Sequence, residues 1–327
     1  MTGTWIDVHG HFVPPKHRLS RSPGTEEGGS NWTFSPETNI AYMDRTGVAA
    51  QLVSNCNQMS DVEKIIASNT HGAALVDAYP KRFGLLAQLP MTDPAGAVTE
   101  IRRCIDELGA EGFAVLTNRD GVYLGDPRYE PVWTELDRNE ATLFIHPTTR
   151  GFEATRLGRN GGLIEAPFDT ARTVVDMIYA GVFRRYARFK IILAHGGGAL
   201  PALAGRLMSM GPYPRNRTVN PNKITEAEMR DALARLYYDT GLAGTIHSLD
   251  PVLAVTTPDH VVYGADFGAP CTDIDICDLH LEAVRSNPRL TAAQREAIGT
   301  NALPLFPKFA ERIGLAPDKA NISVAAE

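Results

Sequence analysis

Eight short apolar runs, separated by stretches with helical character, constrain the fold of this chain more than any other feature. The runs are rich in β-branched and aromatic residues, which is typical of buried strands in parallel sheets. They lie at residues 5–13, 49–54, 83–90, 112–118, 141–148, 189–198, 236–241 and 260–267. Strands that alternate with helices form parallel sheets, because each helix returns the chain to the same end of the sheet.

Two α/β folds can accommodate eight such units. An open doubly wound sheet would carry a glycine-rich phosphate loop after its first strand, but the sequence there is HGHFVPP. A closed barrel needs no such loop, and the 327 residues are sufficient for one. We therefore predict an α/β fold, a (β/α)8 TIM barrel formed as a single domain by residues 1–327. Three long loops, at 16–38, 150–165 and 211–223, are expected at or beyond the carboxyl ends of strands.

Charge and composition exclude several classes of partner. The net charge of −6 leaves no basic surface for nucleic acid or for an anionic membrane. There is no uninterrupted run of about 20 apolar residues, so we expect no membrane span. The amino terminus lacks a basic segment followed by an apolar one, and the four cysteines include no CxxC pair. We expect a reduced, cytoplasmic protein.

Histidine and aspartate residues recur where the apolar runs end. They are Asp7, His9 and His11 in WIDVHGHF, His146 in FIHPT, His195 in ILAHGGG and Asp266 in VYGADF. The carboxyl ends of all barrel strands meet at one rim, where barrel enzymes place their active sites. Alternate residues of a strand share a face, so we expect His9 and His11 to lie together. Asp7 is expected deeper on that face, in an orienting or structural role.

Several imidazoles and a carboxylate at one rim predict a site for a single divalent cation. These ligand types suit Zn²⁺, and Mn²⁺ or Fe²⁺ bind similar sets, so the residues alone leave the metal open. A flat aromatic substrate would suit the aromatic side chains expected near the rim. We predict Phe12, Trp32 and Phe267 as substrate-binding walls, with Phe34 and the loop after His146 beside them.

The same segments resemble the amidohydrolase superfamily, and more closely its aminocarboxymuconate-semialdehyde decarboxylase-like branch. The similarity extends from IDVHGHFVPP through YPKRFGLLAQLP, FIHPT and KIILAHGGGALP to VVYGADF and IGTNALPLF. Within that branch, DGVYLGDPRYEPVW and APFDTARTVVDMIYAGVF are most similar to the 6-methylsalicylate decarboxylase group. Two positions depart from relatives. Resorcylate-type enzymes carry Glu in place of His9, and the tryptophan that follows HP in the semialdehyde enzyme is missing.

The resemblance implies a role for each matching residue. It implies that His9, His11, His146 and Asp266 bind one Zn or Mn ion, with no organic cofactor. His195 matches an unligated catalytic histidine beside the metal. Arg206, in HGGGALPALAGR, matches an arginine that reaches the neighbouring subunit's site to hold a substrate carboxylate, which implies a homodimer.

These roles lead to an expected activity: a metal-dependent, non-oxidative decarboxylase of a small aromatic acid or a related unsaturated carboxylic acid. An ortho-hydroxybenzoate would be protonated by Asp266 at the carbon that bears the carboxylate, and His195 would hydrogen-bond the substrate or relay protons. The same residues could serve a metal-dependent hydrolase of a lactone, an amide or a C–C bond, using a metal-activated water. A binding protein without catalysis would have little use for His195 and Asp266 together.

Overall fold

Eight parallel strands form the central sheet of the computed structural model, which describes residues 4–14, 34–55, 59, 61–155, 157–212, 220–268 and 273–316. In chain order the strands are β1 (Trp5–His11), β2 (Val48–Ser54), β3 (Phe83–Gln88), β4 (Gly112–Leu116), β5 (Asn118–Arg119), β6 (Val122–Tyr123), β7 (Thr142–His146), β8 (Lys190–Leu193), β9 (Tyr237–Asp239) and β10 (Val261–Val262). Strands β5 and β6 form a separate antiparallel hairpin, and the other eight are neighbours in sequence order.

The two edges of this sheet meet, so the sheet is a barrel. The backbone amides of Val8 and His11 in β1 donate hydrogen bonds to the carbonyl oxygens of Tyr263 and Phe267, just beyond β10, at 2.9 and 3.1 Å. Gly10 forms a parallel bridge with Phe267 at the same seam. The predicted (β/α)8 TIM barrel is therefore confirmed.

Helices follow the barrel strands and cover the outside of the barrel. They are α1 (Pro36–Thr46), α2 (Val62–Ala78), α3 (Pro94–Asp106), α4 (Glu130–Arg138), α5 (Glu165–Tyr179), α6 (Val182–Arg185), α7 (Leu200–Met210), α8 (Glu226–Ala234), α9 (Ile246–Leu253), α10 (Ile274–Arg285), α11 (Ala292–Ala297) and α12 (Pro307–Ile313). Ser35, Asp61 and Asp93 begin the first three helices by accepting hydrogen bonds from first-turn amides. Across the described ranges, no helix combines the length and the apolar character that a membrane crossing requires.

The barrel interior has its own apolar core, distinct from the layer between strands and helices. It includes Ile6, Val8, Leu52, Leu86 and Phe144 from the strands, together with Leu303, Phe306 and Phe309 from the carboxyl-terminal segment. Thr142, at the start of β7, donates a hydrogen bond to the carbonyl oxygen of Leu305. The carboxyl-terminal segment thus covers the end of the barrel where the strands begin, and the polar residues gather at the other end.

A bulge in β1 corrects the expected position of Asp7. Asp7 pairs with Gln51 and Gly10 pairs with Val53, so three residue steps on β1 match two on β2. Such a bulge reverses the alternation of faces. The Asp7 carboxylate accepts a hydrogen bond from Gln51, whose side-chain oxygen accepts one from Asn39 of α1, at 2.7 Å each. Asp7 therefore lies towards the helices, on the opposite face from His9.

Candidate metal centre and active site

Five polar side chains from distant parts of the chain meet at the carboxyl-end rim of the barrel. Nε2 of His9 lies 3.1 Å from Nε2 of His11, and each of these nitrogens lies 3.0 Å from Oδ1 of Asp266. The rings of His146 and His195 complete the group, with centroids 5.2 and 5.0 Å from that of His9. The predicted residues on β1 and β7, and those in the segments that follow β8 and β10, are thus brought together.

The spacing of these groups suits one metal ion. Potential ligand atoms of His9, His146, His195 and Asp266 all lie within 4.8 Å of one another. His11 lies beside the same Asp266 oxygen as His9. Four protein ligands are the usual number at a closed metal site. If four of these five groups bind the ion, the fifth lies beside it without binding it.

The hydrogen bonding and protonation state of His146 suit a metal ligand. Its Nδ1 donates a hydrogen bond to the carbonyl oxygen of Pro147 at 2.9 Å, so Nε2 of the neutral ring carries the lone pair. Within the part of the chain that the structure describes, this buried Nε2 has no hydrogen-bond partner. Burial first, and then the neighbouring imidazoles, hold the pKa of His146 well below its ordinary value. The neutral imidazole is the form that binds a metal.

Asp239, the last residue of β9, is a member of this site that the sequence analysis did not include. Its Oδ2 lies 2.6 Å from Nδ1 of His9, and its Oδ1 accepts hydrogen bonds from the backbone amides of His195 and Gly241, at 2.7 and 3.0 Å. The sequence feature that could have identified Asp239 is its position in LYYDTG, at the end of the seventh apolar run. His146 is likewise the last residue of β7, and His195 lies two residues beyond the end of β8.

The carboxylates give this centre a strong preference for positive charge. Burial lowers the pKa of His9, but the charges of Asp239 and Asp266 outweigh it and raise that pKa to about 9. Burial likewise opposes ionisation of Asp266, yet His9 and His11 hold the pKa of Asp266 well below its ordinary value. A divalent cation would meet the same demand for positive charge, which agrees with the donor set.

Both His195 and Asp266 have a left-handed backbone, with φ of 57° and 59°. Residues other than glycine adopt this conformation at a cost of about 1–3 kcal/mol, and such residues concentrate at functional sites. The turn after β8 continues through Gly196, Gly197 and Gly198, all with positive φ. The His195 ring is fixed by a hydrogen bond from Nδ1 to the carbonyl oxygen of Gly241, at 3.1 Å.

The structure does not bring the predicted aromatic walls to this cluster. Phe12 packs against Phe34 and His71, with centroid distances of 6.2 Å, and Phe267 stacks on Tyr42 of α1 at 4.2 Å. Phe12 follows His11 directly, and neighbouring residues of an extended strand point to opposite sides. Tyr42, which stacks on Phe267, belongs to α1. Both rings therefore face the helices.

The two remaining substrate-binding predictions concern Trp32 and Arg206. Trp32 lies outside the described residues. Arg206 lies on α7 and is exposed to solvent.

Comparison with known proteins places this geometry among related enzymes. A family profile described as Amidohydrolase matches residues 6–308. The decarboxylase macB of Penicillium terrestre is 30% identical over 328 residues, which cover 93% of this chain and 95% of that protein. The 6-methylsalicylic acid decarboxylase of Penicillium expansum is 31% identical over 320 residues, which cover 93% and 96%.

A solved structure extends the comparison to the fold. The dihydroxybenzoic acid decarboxylase from Polaromonas sp. JS666, with bound manganese and the inhibitor 2-nitroresorcinol, has a TM-score of 0.77 at 23% identity. The match covers 96% of this chain and 99% of that one. The two chains therefore share the barrel architecture over nearly their whole length.

Proposed function

This chain belongs to the amidohydrolase family, in which it is a metal-dependent decarboxylase of aromatic acids, and we propose that its substrate is a small ortho-hydroxybenzoate of the 6-methylsalicylate type. The observation that carries the proposal is the convergence of four imidazoles on the ionised carboxylate of Asp266 at the rim of the barrel. The relatives of about 30% identity, which match over 93% of the chain, support the reaction.

We assign His9, His11, His146 and Asp266 as ligands of one divalent ion, zinc or manganese, and His195 as the imidazole beside it. The ion would hold oxygen atoms of the substrate and stabilise the negative charge that develops on them. The lone pair on Nε2 of His146 and the close approach of His9, His11 and Asp266 support this assignment. Manganese in the related dihydroxybenzoic acid decarboxylase supports a similar ion here.

The residues around the ion would supply the proton that decarboxylation requires. Direct loss of CO2 from the ring would leave an aryl anion, so the carbon that bears the carboxylate must be protonated first. Asp266 is ionised and needs a proton before it can act as the donor. Burial lowers the pKa of His195, and its Nδ1 is engaged with Gly241, so Nε2 of the neutral ring can accept the hydroxyl proton of the substrate.

In this scheme His195 passes that proton to Asp266, and Asp266 delivers it to the ring carbon. The bond to the carboxylate carbon then breaks, its electron pair returns to the ring, and CO2 leaves. Aromaticity is restored, and neither an oxidant nor an organic cofactor takes part. Asp239 would act as a positioning residue, because its carboxylate contacts both the His9 ring and the backbone of His195.

We further propose a homodimer in which Arg206 of one subunit reaches the site of the other and binds the substrate carboxylate. The exposure of Arg206 on α7 supports this arrangement. Guanidinium groups bind carboxylates through two parallel hydrogen bonds, so such a contact would add both affinity and orientation.

The proposed reaction is tested by incubating the metal-loaded protein anaerobically with a panel of 2-hydroxybenzoates, including 6-methylsalicylate, in D2O. Mass spectrometry should detect loss of CO2 with one deuterium on the product ring. The matched variant Asp266→Asn should abolish turnover, because an amide cannot carry the proton. If no panel member releases CO2, and ester, lactone or diketone substrates incorporate ¹⁸O from labelled water, the protein is a hydrolase and the proposal is wrong.

A further inference from the structure

Arg119, in the hairpin that follows β4, has a largely buried side chain and no well-placed counter-charge among the described residues. Its side chain is 11% exposed, and the one described ion pair that it makes is from Nε to Oδ2 of Asp120, at the long distance of 3.8 Å. The side chain of Asp120 is itself 77% exposed. Burying a cation without a close anion is unfavourable, so such an arginine indicates a site that an anion completes.

The hairpin that carries Arg119 is firmly held. Asp120 and Gly121 form its turn, both with positive φ. The carboxylate of Asp169, on α5, accepts hydrogen bonds from the Asn118 amide at 2.8 Å and from the Tyr123 hydroxyl at 2.7 Å. Asn118 and Tyr123 are a pair directly across the hairpin. The backbone that carries Arg119 is thus fixed before any ligand binds, which lowers the entropy cost of binding.

Arg119 lines a cleft on the same rim as the metal centre. The cleft is mainly apolar, with a few polar groups, and its lining includes Gln88, Leu89, Met91, Leu116 and Leu124. The cleft is small, so it would admit the acid group of a ligand and not a whole aromatic ring.

The register of the strands places this cleft next to a proposed ligand. Leu116 at the end of β4 pairs with His146 at the end of β7. The backbone amide of Thr117 donates to the carbonyl oxygen of His146 at 3.0 Å. Partners in a parallel pair point to the same face, so Leu116 and His146 face the same side of the barrel wall. One wall of the cleft, Leu116, therefore lies beside the strand that carries His146.

Neighbouring charges act on Arg119 in both directions. Burial is the main cause of the lowered pKa of Arg119; the charge of Asp120 raises that pKa, and the charge of Arg150, from the loop after β7, lowers it. Arg150 thus contributes a second positive charge near Arg119, which would favour an anionic ligand there.

We propose that Arg119 binds the carboxylate of the aromatic acid from within the same subunit as the metal centre. This inference rests on the proposed function for the identity of the anion. It adds to the proposed contact from Arg206: Arg119 would hold the acid group from the subunit that carries the metal centre, and Arg206 would hold it from the neighbouring subunit. Recognition would be selective for aromatic carboxylates over their neutral amides.

The proposal is tested by measuring the affinity of the metal-loaded full chain for benzoate and for benzamide by calorimetry, in the wild type and in Arg119→Met. A charge-assisted hydrogen bond contributes enough that Arg119→Met should weaken benzoate binding by about 10- to 100-fold and leave benzamide binding unchanged. The control Arg128→Met removes an exposed arginine that pairs with Asp126, and it should bind both compounds like the wild type. Equal benzoate affinity in Arg119→Met and the wild type would overturn the proposal.

Thermal denaturation separates this role from a structural one. Because Arg119→Met removes a poorly paired buried charge, its Tm without ligand should be no lower than that of the wild type. Benzoate should raise the Tm of the wild type and have little effect on that of the variant. A large drop in the ligand-free Tm, with the benzoate-induced rise retained, would make Arg119 a structural residue and overturn the proposal.

A second variant and the choice of probe keep the test decisive. If Arg119→Met does not fold, Arg119→Lys is the second variant. It keeps the charge and loses the planar guanidinium, and it should show a smaller loss of benzoate affinity.

Benzoate is a suitable probe because its binding requires no turnover. If Arg119→Met loses its preference for benzoate and the wild type releases no CO2, the role of Arg119 is supported and the proposed reaction is contradicted. If the wild type releases CO2 and Arg119→Met keeps that preference, the proposed reaction is supported and the role of Arg119 is contradicted.

Discussion

At the scale of single residues, one buried carboxylate connects two parts of the site. Asp239 contacts the ring of His9 with one oxygen and the backbone of His195 with the other. A carboxylate behind an imidazole ligand fixes the orientation of the ring and increases its basicity. Asp239 thus links a proposed metal ligand to the proposed proton relay, so one substitution should disturb both.

Asp239→Asn should lower metal affinity by about 10- to 100-fold and leave the protein folded, because the amide keeps the shape but loses the charge that orients His9. Metal affinity is measured by competition with a chromogenic chelator, and folding by circular dichroism. The control Asp44→Asn alters an exposed carboxylate paired with Arg82, which directly precedes β3 at the end of the barrel opposite the rim. Unchanged metal affinity in Asp239→Asn would remove Asp239 from its positioning role.

At the scale of secondary-structure elements, the turn after β8 is the part of the site with the least tolerance. Gly198 has a φ of 59°, and a Cβ at this position would lie 2.4 Å from the carbonyl oxygen of Pro167. Gly109 has nearly the same φ, 61°, and no atom of the described residues lies within 4 Å of such a Cβ. Comparing alanine substitutions at Gly109 and Gly198 therefore separates the cost of the left-handed backbone from the cost of the steric clash with Pro167.

Gly109→Ala should reduce the free energy of unfolding by about 1 kcal/mol, the cost of the left-handed conformation alone. Gly198→Ala should cost more than Gly109→Ala and should also reduce turnover, because relief of the collision displaces the turn that carries His195. Urea denaturation and the rate of CO2 release provide the two measurements. Equal effects of the two substitutions on stability would show that the turn adapts without strain.

A buried carboxylate between α3 and α4 predicts a dependence of stability on pH. Hydrogen bonds from Arg102, and then from Arg138, lower the pKa of Glu135 to about 2. Because this folded-state pKa lies below that of the unfolded chain, the ionised Glu135 stabilises the fold above about pH 4.5, and the contribution is lost as the pH falls towards 2.

Glu135→Gln should therefore lower the free energy of unfolding by about 1–2 kcal/mol at pH 7, and the difference from the wild type should shrink below pH 4.5. Urea denaturation over this pH range measures it. Glu226→Gln, which alters an exposed pair with Arg230, is the control and should have little effect. A difference that stays constant down to pH 2.5 would contradict the assignment.

The elements also show which parts of the structure the sequence could predict. Periodicity and β-branched runs identify the barrel strands, because burial on both faces leaves a clear apolar signal. The turn Asp120–Gly121 and the bulge in β1 interrupt that signal locally, so the hairpin and the true face of Asp7 were not predicted. His9, His11, His146, His195 and Asp266 were found because strand ends converge by topology. Side-chain direction beyond a strand, as at Phe12 and Phe267, depends on local backbone geometry that one sequence does not specify.

At the scale of the whole molecule, the proposed dimer makes each site depend on two subunits. Arg206→Ala should mainly raise KM, and Asp266→Asn should abolish turnover in its own subunit. When both variants are co-expressed, about half of the dimers are mixed, and one of the two sites in each mixed dimer has both residues. At low substrate concentration, about a quarter of the wild-type activity should return. Activity no higher than that of the separate variants would contradict the contribution of Arg206 across the interface.

The barrel closes between β1 and the segment after β10, and His9 and Asp266 meet at that seam. During synthesis on a ribosome, the first of these residues emerges long before the second. A chain synthesised only as far as β9 lacks Asp266, so the ion can enter its complete site only after the last barrel strand has been made and has docked. Contacts between such distant positions form late, because closing a long loop is entropically costly. Metal uptake would then show that the barrel is closed. A chain truncated before Asp266 would neither close the barrel nor bind the metal in its complete site.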